Sequence, residues 1–269
     1  MTVICVIQKP THSAGKIISR PHIPRTTFDE TTSAFSNYRE TILMLSVEKL
    51  GRREGRLQIL QDVSFGWTRG VLAVIGGNGS GKTTLLRVVA GAMKPDAGKV
   101  TWDGVLTSHA VRRRGKIGYG PQERNLDLAI TLREFLSLCA DLRGLSGRSA
   151  KVAAVAEELG LAKQLDERLA NLSGGGRRKA MTAQALLGVS ELIVLDEPTS
   201  EVDYAASRRF WAAFRARGRS CALVIATHDV ELALSAADSI LLLQRGLPAR
   251  LAPASAFAID QLSAAIGEG

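Results

Sequence analysis

The sequence predicts an α/β fold whose mainly parallel sheet is interrupted by a helical segment. A glycine-rich loop joins the apolar run Val71–Ile75 to an apolar-periodic segment that begins at Leu85. Strand-length and helix-length segments alternate from Leu192 to Gln244, which is typical of a parallel sheet covered by helices on both faces. Between these parts, from Thr131 onward, apolar residues recur at i, i+3, i+4 and i+7 and indicate helices.

The composition is that of a globular chain with a sizeable core. The 269 residues are 45% hydrophobic, and no apolar run approaches the roughly 18 residues that a membrane span needs. We therefore expect any membrane role to depend on a partner. Cys5, Cys139 and Cys221 lie far apart without metal-ligand spacing, and Met1–Lys9 lacks the features of a secretion signal. These observations predict a cytoplasmic protein without disulfides.

The formal net charge of +9 is compatible with binding to nucleic acid or to anionic lipid. The arginines, however, occur in small scattered groups rather than in one long basic run. This distribution favours a solvated basic surface, and we expect no nucleic-acid partner.

The first 43 residues are predicted to form a flexible N-terminal extension, because three prolines interrupt a stretch rich in serine and threonine that has no periodicity. Met44 follows directly and is an alternative start residue. Two runs, Leu45–Lys49 and Leu57–Phe65, predict strands that pair with each other and lie beside the glycine-rich loop. The helix after that loop is expected to end near Gly91–Pro95. The short strands predicted next are Gly98–Gly104 and Lys116–Tyr119.

A helical subdomain is predicted at about residues 127–172. Its first helix places Cys139 at a core-facing position, so we interpret Cys139 as a packed apolar residue rather than a reactive thiol. The alternating elements that follow are strand Leu192–Asp196, helix Tyr204–Arg217, strand Cys221–Ala226, helix Val230–Ala237 and strand Ser239–Gln244. The main domain is therefore predicted to span residues 44–250, and the alanine-rich residues 251–269 are predicted to form a C-terminal tail.

The glycine-rich loop matches the phosphate-binding P-loop pattern G-x-x-x-x-G-K-[ST]. Closely spaced glycines let successive backbone amides turn toward one centre, where the following helix also directs its N-terminal donors. Lys82 would reach the β- and γ-phosphates of a bound triphosphate, and the Thr83 hydroxyl would ligate Mg²⁺. The phosphate-binding residues predicted from this pattern are Gly76, Gly77, Asn78, Gly79, Ser80, Gly81, Lys82, Thr83 and Thr84.

Two carboxylates follow a buried strand later in the chain. Asp196 and Glu197 stand at the C-terminal end of that strand, where ligands of open α/β sheets bind. Together with a P-loop, Asp196 would hold Mg²⁺ and Glu197 would orient and polarise an attacking water. His228 ends a neighbouring strand and can donate to a γ-phosphate, although taken alone it is also explained as a residue that caps the next helix.

In this order the motifs resemble those of the ATP-binding-cassette (ABC) ATPases, over about residues 45–246. Leu172–Gly176 resembles the LSGGQ signature of that family and begins 24 residues before Asp196. Gln122 resembles the Q-loop glutamine, Ser200–Asp203 the D-loop, and His228 the switch histidine. The resemblance implies a P-loop NTPase cassette with a mainly parallel core, an antiparallel β subdomain and a helical subdomain.

The resemblance also implies roles for individual residues. The catalytic residues implied are Glu197, His228 and Gln122. The Mg²⁺ ligands implied are Thr83, Gln122 and Asp196. Ser173, Gly174 and Gly175 would cap the γ-phosphate held by a partner subunit, so that two cassettes enclose two ATP molecules in a head-to-tail homodimer that forms with ATP.

Three positions depart from the family pattern. Gly176 stands where the signature usually has Gln, and Glu201 adds a charge to the D-loop. No aromatic residue lies near Arg53–Gly55 to stack on adenine, so either base selectivity is weak or Arg53 stacks instead. Because Lys82 and both carboxylates are retained, we still expect hydrolysis.

The function implied is that of an ATP-hydrolysing subunit of a transporter whose membrane-spanning permease subunits are separate chains. This chain would bind peripherally at the inner, cytoplasmic face of the membrane. Residues Leu172–Asp203 are similar to bacterial exporter cassettes, which favours export. The helical subdomain, with Gln122 and residues 123–131 at its base, is expected to dock the permease. Two alternatives stay open: an importer cassette, and a soluble ABC ATPase that acts on nucleic acid or ribosomes.

Overall fold

The computed structural model describes residues 44–108, 116–122 and 129–267. The extension predicted for residues 1–43 therefore lies outside the described residues, as do the start of the predicted helical subdomain and most of its predicted docking segment. The described chain forms two sheets, one of four strands and one of six.

The four-stranded sheet is antiparallel and has the order β2-β1-β4-β5. Its strands are β1 (Leu45–Glu54), β2 (Leu57–Trp67), β4 (Ala97–Trp102) and β5 (Val105–Leu106). The predicted pairing of the first two strands is confirmed, with Leu45 opposite Trp67 and Glu54 opposite Leu57 across a tight hairpin. Strand β1 extends beyond its predicted end as far as a two-residue turn, and β2 extends to Trp67, which pairs with Leu45.

The six-stranded sheet has the order β10-β9-β3-β8-β7-β6, and every neighbouring pair is parallel except β10 with β9. Its strands are β3 (Gly70–Ile75), β6 (Ile117–Gly120), β7 (Leu192–Asp196), β8 (Ala222–Ala226), β9 (Ser239–Leu242) and β10 (Arg250–Pro253). The four central strands are buried along their whole length, as expected for a sheet covered on both faces.

Seven α-helices cover these sheets within the described residues. They are α1 (Lys82–Val89), α2 (Leu132–Leu142), α3 (Arg148–Glu158), α4 (Gly174–Leu186), α5 (Tyr204–Gly218), α6 (Val230–Ala236) and α7 (Ile259–Gly267). Side chains of β3 alternate between two cores, with Val71 and Ala73 on one face and Leu72 and Val74 on the other. Helix α1 and the antiparallel sheet share the second core, while α2 to α6 pack on the first.

The predicted helical periodicity after Thr131 corresponds to α2 and α3. Helix α2 begins with a capping box, in which Thr131 and Glu134 satisfy each other's backbone amides. Cys139 is partly buried and packs against the first core, and burial raises the pKa of its thiol to about 11. The interpretation of Cys139 as a packed residue is therefore confirmed. No helix of the described residues has both the length and the apolar character needed to cross a membrane.

The C-terminal residues extend the sheet past the boundary that was predicted at residue 250, which corrects that prediction. Strand β10 begins at Arg250 and pairs with β9, because its backbone completes an otherwise open sheet edge. Helix α7 then buries Leu262 and Ala265 against the first core. The predicted tail thus contains a strand and a helix that belong to the main domain.

Candidate functional site

Three adjacent parallel strands bring the predicted site residues to one edge of the sheet. Strand β3 lies beside β8, and β8 lies beside β7. The P-loop follows β3, Thr227 and His228 follow β8, and Asp196 ends β7 just before Glu197. Because the carboxyl ends of parallel strands meet at the same edge, these segments form one crevice.

The P-loop has a backbone that side chains would not tolerate. Gly79 and Gly81 have φ angles of 76° and 98°, a region that favours glycine. A Cβ at Gly76 would lie 2.1 Å from the carbonyl oxygen of Leu243. Helix α1 begins at Lys82, so its N-terminal amides face the same loop as predicted.

The Lys82 ammonium lies at the centre of this loop. Its Nζ donates to the carbonyl oxygens of Gly76 and Gly77, at 2.7 and 3.1 Å. Burial lowers the pKa of Lys82 below its ordinary value, while the charges of Glu197 and Asp196 act in the opposite direction. A polyanion bound in the loop would therefore meet a cation that is already desolvated and in place.

The residues predicted to hold Mg²⁺ lie together and fit that ion. Asp196 is only 1% exposed, and neither of its carboxylate oxygens has a hydrogen-bond partner among the described residues. Burial raises the pKa of Asp196, and the nearby Thr83 hydroxyl acts against this rise. The Thr83 Oγ1 donates to Gln122 Oε1 at 3.4 Å. One carboxylate with hydroxyl and amide oxygens suits Mg²⁺, which takes its other ligands from water and phosphate.

Glu197 and His228 form a pair at the mouth of the crevice. The Glu197 backbone has a φ of 51°, and its amide donates to the Ala226 carbonyl at 3.0 Å. The carboxylate is 9% exposed, and its Oε2 lies 2.8 Å from Nδ1 of His228, whose side chain is 62% exposed. Because the carboxylate accepts, Nδ1 carries the proton in this pair.

The signature residues form the N-terminus of α4. Ser173 caps the helix, and its Oγ accepts a hydrogen bond from the Gly176 amide at 3.0 Å. A Cβ at Gly175 would lie 2.6 Å from the carbonyl oxygen of Glu201, so the signature touches the D-loop of the same chain. Within the described residues, no hydrogen bond joins Ser173 to the P-loop. The structure thus brings together the P-loop, Gln122, Asp196, Glu197 and His228, and leaves the signature apart from them.

Comparison with known proteins decides the family. The sequence profile of the ABC transporter family matches residues 60–200, which is more than half of the chain. This chain belongs to the ABC transporter family. It is an ATP-binding subunit of such a transporter, and its ATP hydrolysis is coupled to transport. The predictions of family, fold and ATPase activity are confirmed.

The curated relatives of this ABC subunit include proteins of both transport directions. The zinc import ATP-binding protein ZnuC of Cereibacter sphaeroides is 35% identical over 208 residues, which cover 75% of this chain and 79% of the relative. The Nod factor export ATP-binding protein I of Bradyrhizobium diazoefficiens is 34% identical over 211 residues, covering 75% and 68%. A solved structure of an ATP-binding subunit of an ABC transporter is 25% identical, with a TM-score of 0.74, and covers 82% of this chain and 98% of that one.

The local structure accommodates the three departures from the ABC pattern to different degrees. A Cβ at Gly176 would lie 3.2 Å from the Leu172 Cβ and 3.3 Å from the Ser173 Oγ, so the glycine fits a tight turn of α4. Glu201 adopts a φ of 62°, a conformation that glycine reaches more easily. The Arg53 guanidinium donates to Gln58 Oε1 at 2.6 Å, so adenine stacking by Arg53 would compete with that hydrogen bond.

The sequence does not predict that one buried residue of this ABC subunit contacts the site. Arg178 of α4 is 1% exposed, and its Nη1 donates to the backbone oxygen of Gln122 at 2.7 Å. The available signal was an arginine five residues after Ser173 in a helix that packs on the sheet. Its partner is a backbone atom, and side-chain patterns do not predict such a contact.

Proposed function

We propose that this chain is a Mg²⁺-dependent ATPase that works as a head-to-tail homodimer beneath separate membrane-spanning permease subunits. The observation that carries the proposal is the convergence of Lys82, Asp196 and the Glu197–His228 pair on one crevice. Cation, metal ligand and general base are the three parts that phosphoryl transfer to water requires.

Each residue has a distinct chemical role in the proposal. Lys82 neutralises charge that develops on the β- and γ-phosphates. Thr83, Gln122 and Asp196 would hold Mg²⁺, which when bound polarises phosphate oxygens. Glu197 aligns the attacking water and accepts its proton. His228 fixes the Glu197 carboxylate through Nδ1, and when doubly protonated it can donate from Nε2 to the γ-phosphate.

Substitution of Glu197 by Gln tests this proposal. The amide keeps the shape but cannot accept a proton, so kcat should fall by about 100-fold or more, while ATP binding at the P-loop persists. Steady-state hydrolysis and equilibrium ATP binding are the measurements. Glu48→Gln is the matched control, because Glu48 is exposed and pairs with Lys99 far from the crevice. Turnover by Glu197→Gln at the rate of Glu48→Gln would contradict the assignment.

We propose export as the direction, supported by the Nod factor exporter among the relatives. Import is the second candidate, because the zinc import subunit is a relative of similar identity. Reconstitution with the co-purified permease in vesicles, followed by the direction of ATP-driven substrate movement, separates the two. Binding to the permease would place this chain at the cytoplasmic face of the membrane. We propose that the permease docks on the helical subdomain, and cross-linking of the permease loops only to β4 and β5 would contradict this.

A nucleic-acid partner is not part of the proposal. Two arginines of the helical subdomain form ion pairs, Arg133 with Asp166 at 2.8 Å and Arg148 with Asp141 at 2.6 Å. Arg217 of α5 likewise pairs with Glu158. These ion pairs leave the net charge of +9 unchanged, but a paired arginine attracts a phosphate less strongly than a free one does, which weakens the attraction that nucleic-acid binding needs.

A further inference from the structure

Helix α4 lies directly on strand β6, with almost no side chain between the two backbones. A Cβ at Gly118 would lie 2.1 Å from the Ala185 carbonyl oxygen, and a Cβ at Gly120 would lie 3.2 Å from that of Met181. The Gln184 amide nitrogen donates to the backbone oxygen of Tyr119. Later residues of β6 contact earlier residues of α4, so the helix and the strand run antiparallel. They are in contact at several points.

Arg178 continues this row of contacts beyond the end of the strand. Its Nη1 donates to the Gln122 backbone oxygen at 2.7 Å, two residues after β6 ends at Gly120. A buried guanidinium is costly to desolvate and is retained only where hydrogen bonds compensate it. Arg178 is 1% exposed, so the position of Gln122 and that of α4 are tied by a charged hydrogen bond in a dry environment.

In the proposed homodimer, Gln122 and the N-terminus of α4 would contact two different nucleotides. The side chain of Gln122 accepts from Thr83, which follows Lys82 in the P-loop of the same chain. Ser173 caps α4 five residues before Arg178, about 7.5 Å along a rigid helix. The contacts with β6 hold α4 from Met181 onward, so a shift of Gln122 would act through Arg178 on the N-terminal part of the helix, which carries Ser173.

We propose that Arg178 is a positioning residue that couples the P-loop of one chain to its own signature, so that Mg²⁺-nucleotide at the P-loop sets the position of the donors offered to the partner subunit. The inference rests on the proposed function, since it assumes that nucleotide and Mg²⁺ bind at Lys82, Thr83 and Gln122. The inference adds a residue, Arg178, that connects the P-loop and the signature within one chain. In the proposed dimer, these two segments belong to different nucleotide sites.

The test is amide hydrogen exchange in the full chain, at concentrations where sedimentation shows a monomer. The probes are the non-hydrolysable ATP analogue AMP-PNP with Mg²⁺, and the same analogue with EDTA. In the parent, we expect Mg²⁺-analogue to slow exchange of residues 76–84 and to change exchange of residues 172–178 at least twofold. With EDTA, the change at residues 172–178 should be smaller.

In Arg178→Met, the methionine side chain fills similar space but has no hydrogen-bond donor. Nucleotide should still slow hydrogen exchange of residues 76–84 in this variant, but it should no longer change the exchange of residues 172–178. Arg178→Lys, which retains a charged donor, should restore at least half of that response. Arg143→Gln is the matched control, because Arg143 donates to the Gln184 and Ala185 carbonyls at the other end of α4. It should respond as the parent does, whatever its stability.

Two results would overturn the proposal: an undiminished signature response in Arg178→Met, or no signature response in the parent. A merely structural role would change exchange with and without nucleotide equally and leave the response intact. If Arg178→Met does not fold, Arg178→Gln, which is too short to reach the carbonyl, replaces it. Failure of the parent to protect residues 76–84 would instead remove the proposed function and this inference together.

Discussion

Asp196 carries a charge that the apo fold stabilises poorly. Its oxygens are buried without hydrogen-bond partners among the described residues, and burial raises its pKa. A raised folded-state pKa means that the native chain binds a proton more readily than the unfolded chain, so stability declines as pH rises from the unfolded pKa through the folded one. The cost is therefore fully present above the raised folded-state pKa of Asp196 and absent below the ordinary pKa of Asp.

Asp196→Asn should therefore stabilise the apo protein at pH 7 while abolishing hydrolysis. The substitution removes the buried charge but leaves a buried polar amide, so part of a cost of about 1–3 kcal/mol is recovered, and a Tm increase of roughly 2–4 °C per kcal/mol recovered is expected by thermal unfolding. The gain should vanish below the ordinary pKa of Asp, where both states are protonated.

Asp203→Asn is the matched control for this change. Asp203 caps α5 by accepting from the Ala206 amide, which lowers its pKa, so the sign is opposite. Its substitution should give no stabilisation at pH 7. An Asp196→Asn protein less stable than the parent at neutral pH would show that the carboxylate is compensated in the apo state.

The described cysteines should resist alkylation. Burial raises the pKa of Cys139 and of Cys221 to about 11. The thiolate is the reactive form, so at pH 8 the labelling by iodoacetamide should be roughly 100-fold slower than for a free cysteine. Mass spectrometry of the two peptides measures this rate, and labelling in guanidinium is the control. Fast labelling of the native protein would mean that the segments around these cysteines open readily.

At the scale of elements, the contact between β6 and α4 depends on glycine. A Cβ at Gly118 would lie 2.1 Å from a backbone oxygen, which cannot move without shifting the helix. Gly118→Ala should therefore lower the free energy of unfolding by about 1–3 kcal/mol or more, as measured by denaturant unfolding. It should also reduce ATP-dependent dimerisation, because α4 carries Ser173.

Gly66→Ala is the control for a strand glycine with space around it. Its added Cβ would meet the flexible Met44 side chain at 3.5 Å, an ordinary contact. The change in stability should be small. Equal destabilisation by both substitutions would show that the close approach of α4 to β6 is not what constrains Gly118.

Most elements could be predicted from the sequence because their burial follows a simple period. Strand Leu192–Asp196 is apolar up to its final aspartate, and the sequence predicts both of its ends. The C-terminal strand and helix were missed, since β10 is half exposed and contains Pro253, so neither alternation nor a long apolar run marks it. Its stability comes from pairing with β9, which is a tertiary contact.

The sequence predicts the motifs of the site but not the hydrogen bonds that join them. The P-loop, Asp196 and Glu197 are encoded by residue type at fixed spacing, and the fold brings them together. The hydrogen bond from Arg178 joins residues 56 positions apart and ends on a backbone oxygen. The Glu197–His228 contact similarly depends on β7 and β8 being neighbours, which only the sheet order determines.

At the scale of the whole molecule, the separation of Ser173 from its own P-loop predicts nucleotide-controlled dimerisation. In the proposed head-to-tail dimer, the γ-phosphate of ATP would supply contacts across the interface, and ADP lacks that phosphate. Glu197→Gln should be monomeric without nucleotide and with ADP, and dimeric with ATP, by sedimentation. Ser173→Arg in that background should bind ATP at the P-loop and remain monomeric, because a bulky cation would occupy the space of the opposite phosphate.

The D-loop provides the control for this prediction. Glu201→Gly removes a charge and relaxes a backbone with a φ of 62°, so it should preserve or strengthen the ATP dimer. A monomer in every nucleotide state would count against the homodimer. A dimer that survives Ser173→Arg would place the interface elsewhere on the chain.

The position of β3 in the sheet has a consequence for the order in which this chain can be made. Both neighbours of β3 come from the last quarter of the sequence, since β8 begins at Ala222 and β9 at Ser239. At about 5–20 residues per second, a ribosome needs on the order of ten seconds between synthesis of the P-loop and of its supporting strands. Throughout that interval the apolar strand before the P-loop has no partner in its sheet, and it depends on the antiparallel hairpin or on chaperones for cover. A nascent chain released before Ala222 would carry every residue of the P-loop and still be unable to hold a nucleotide.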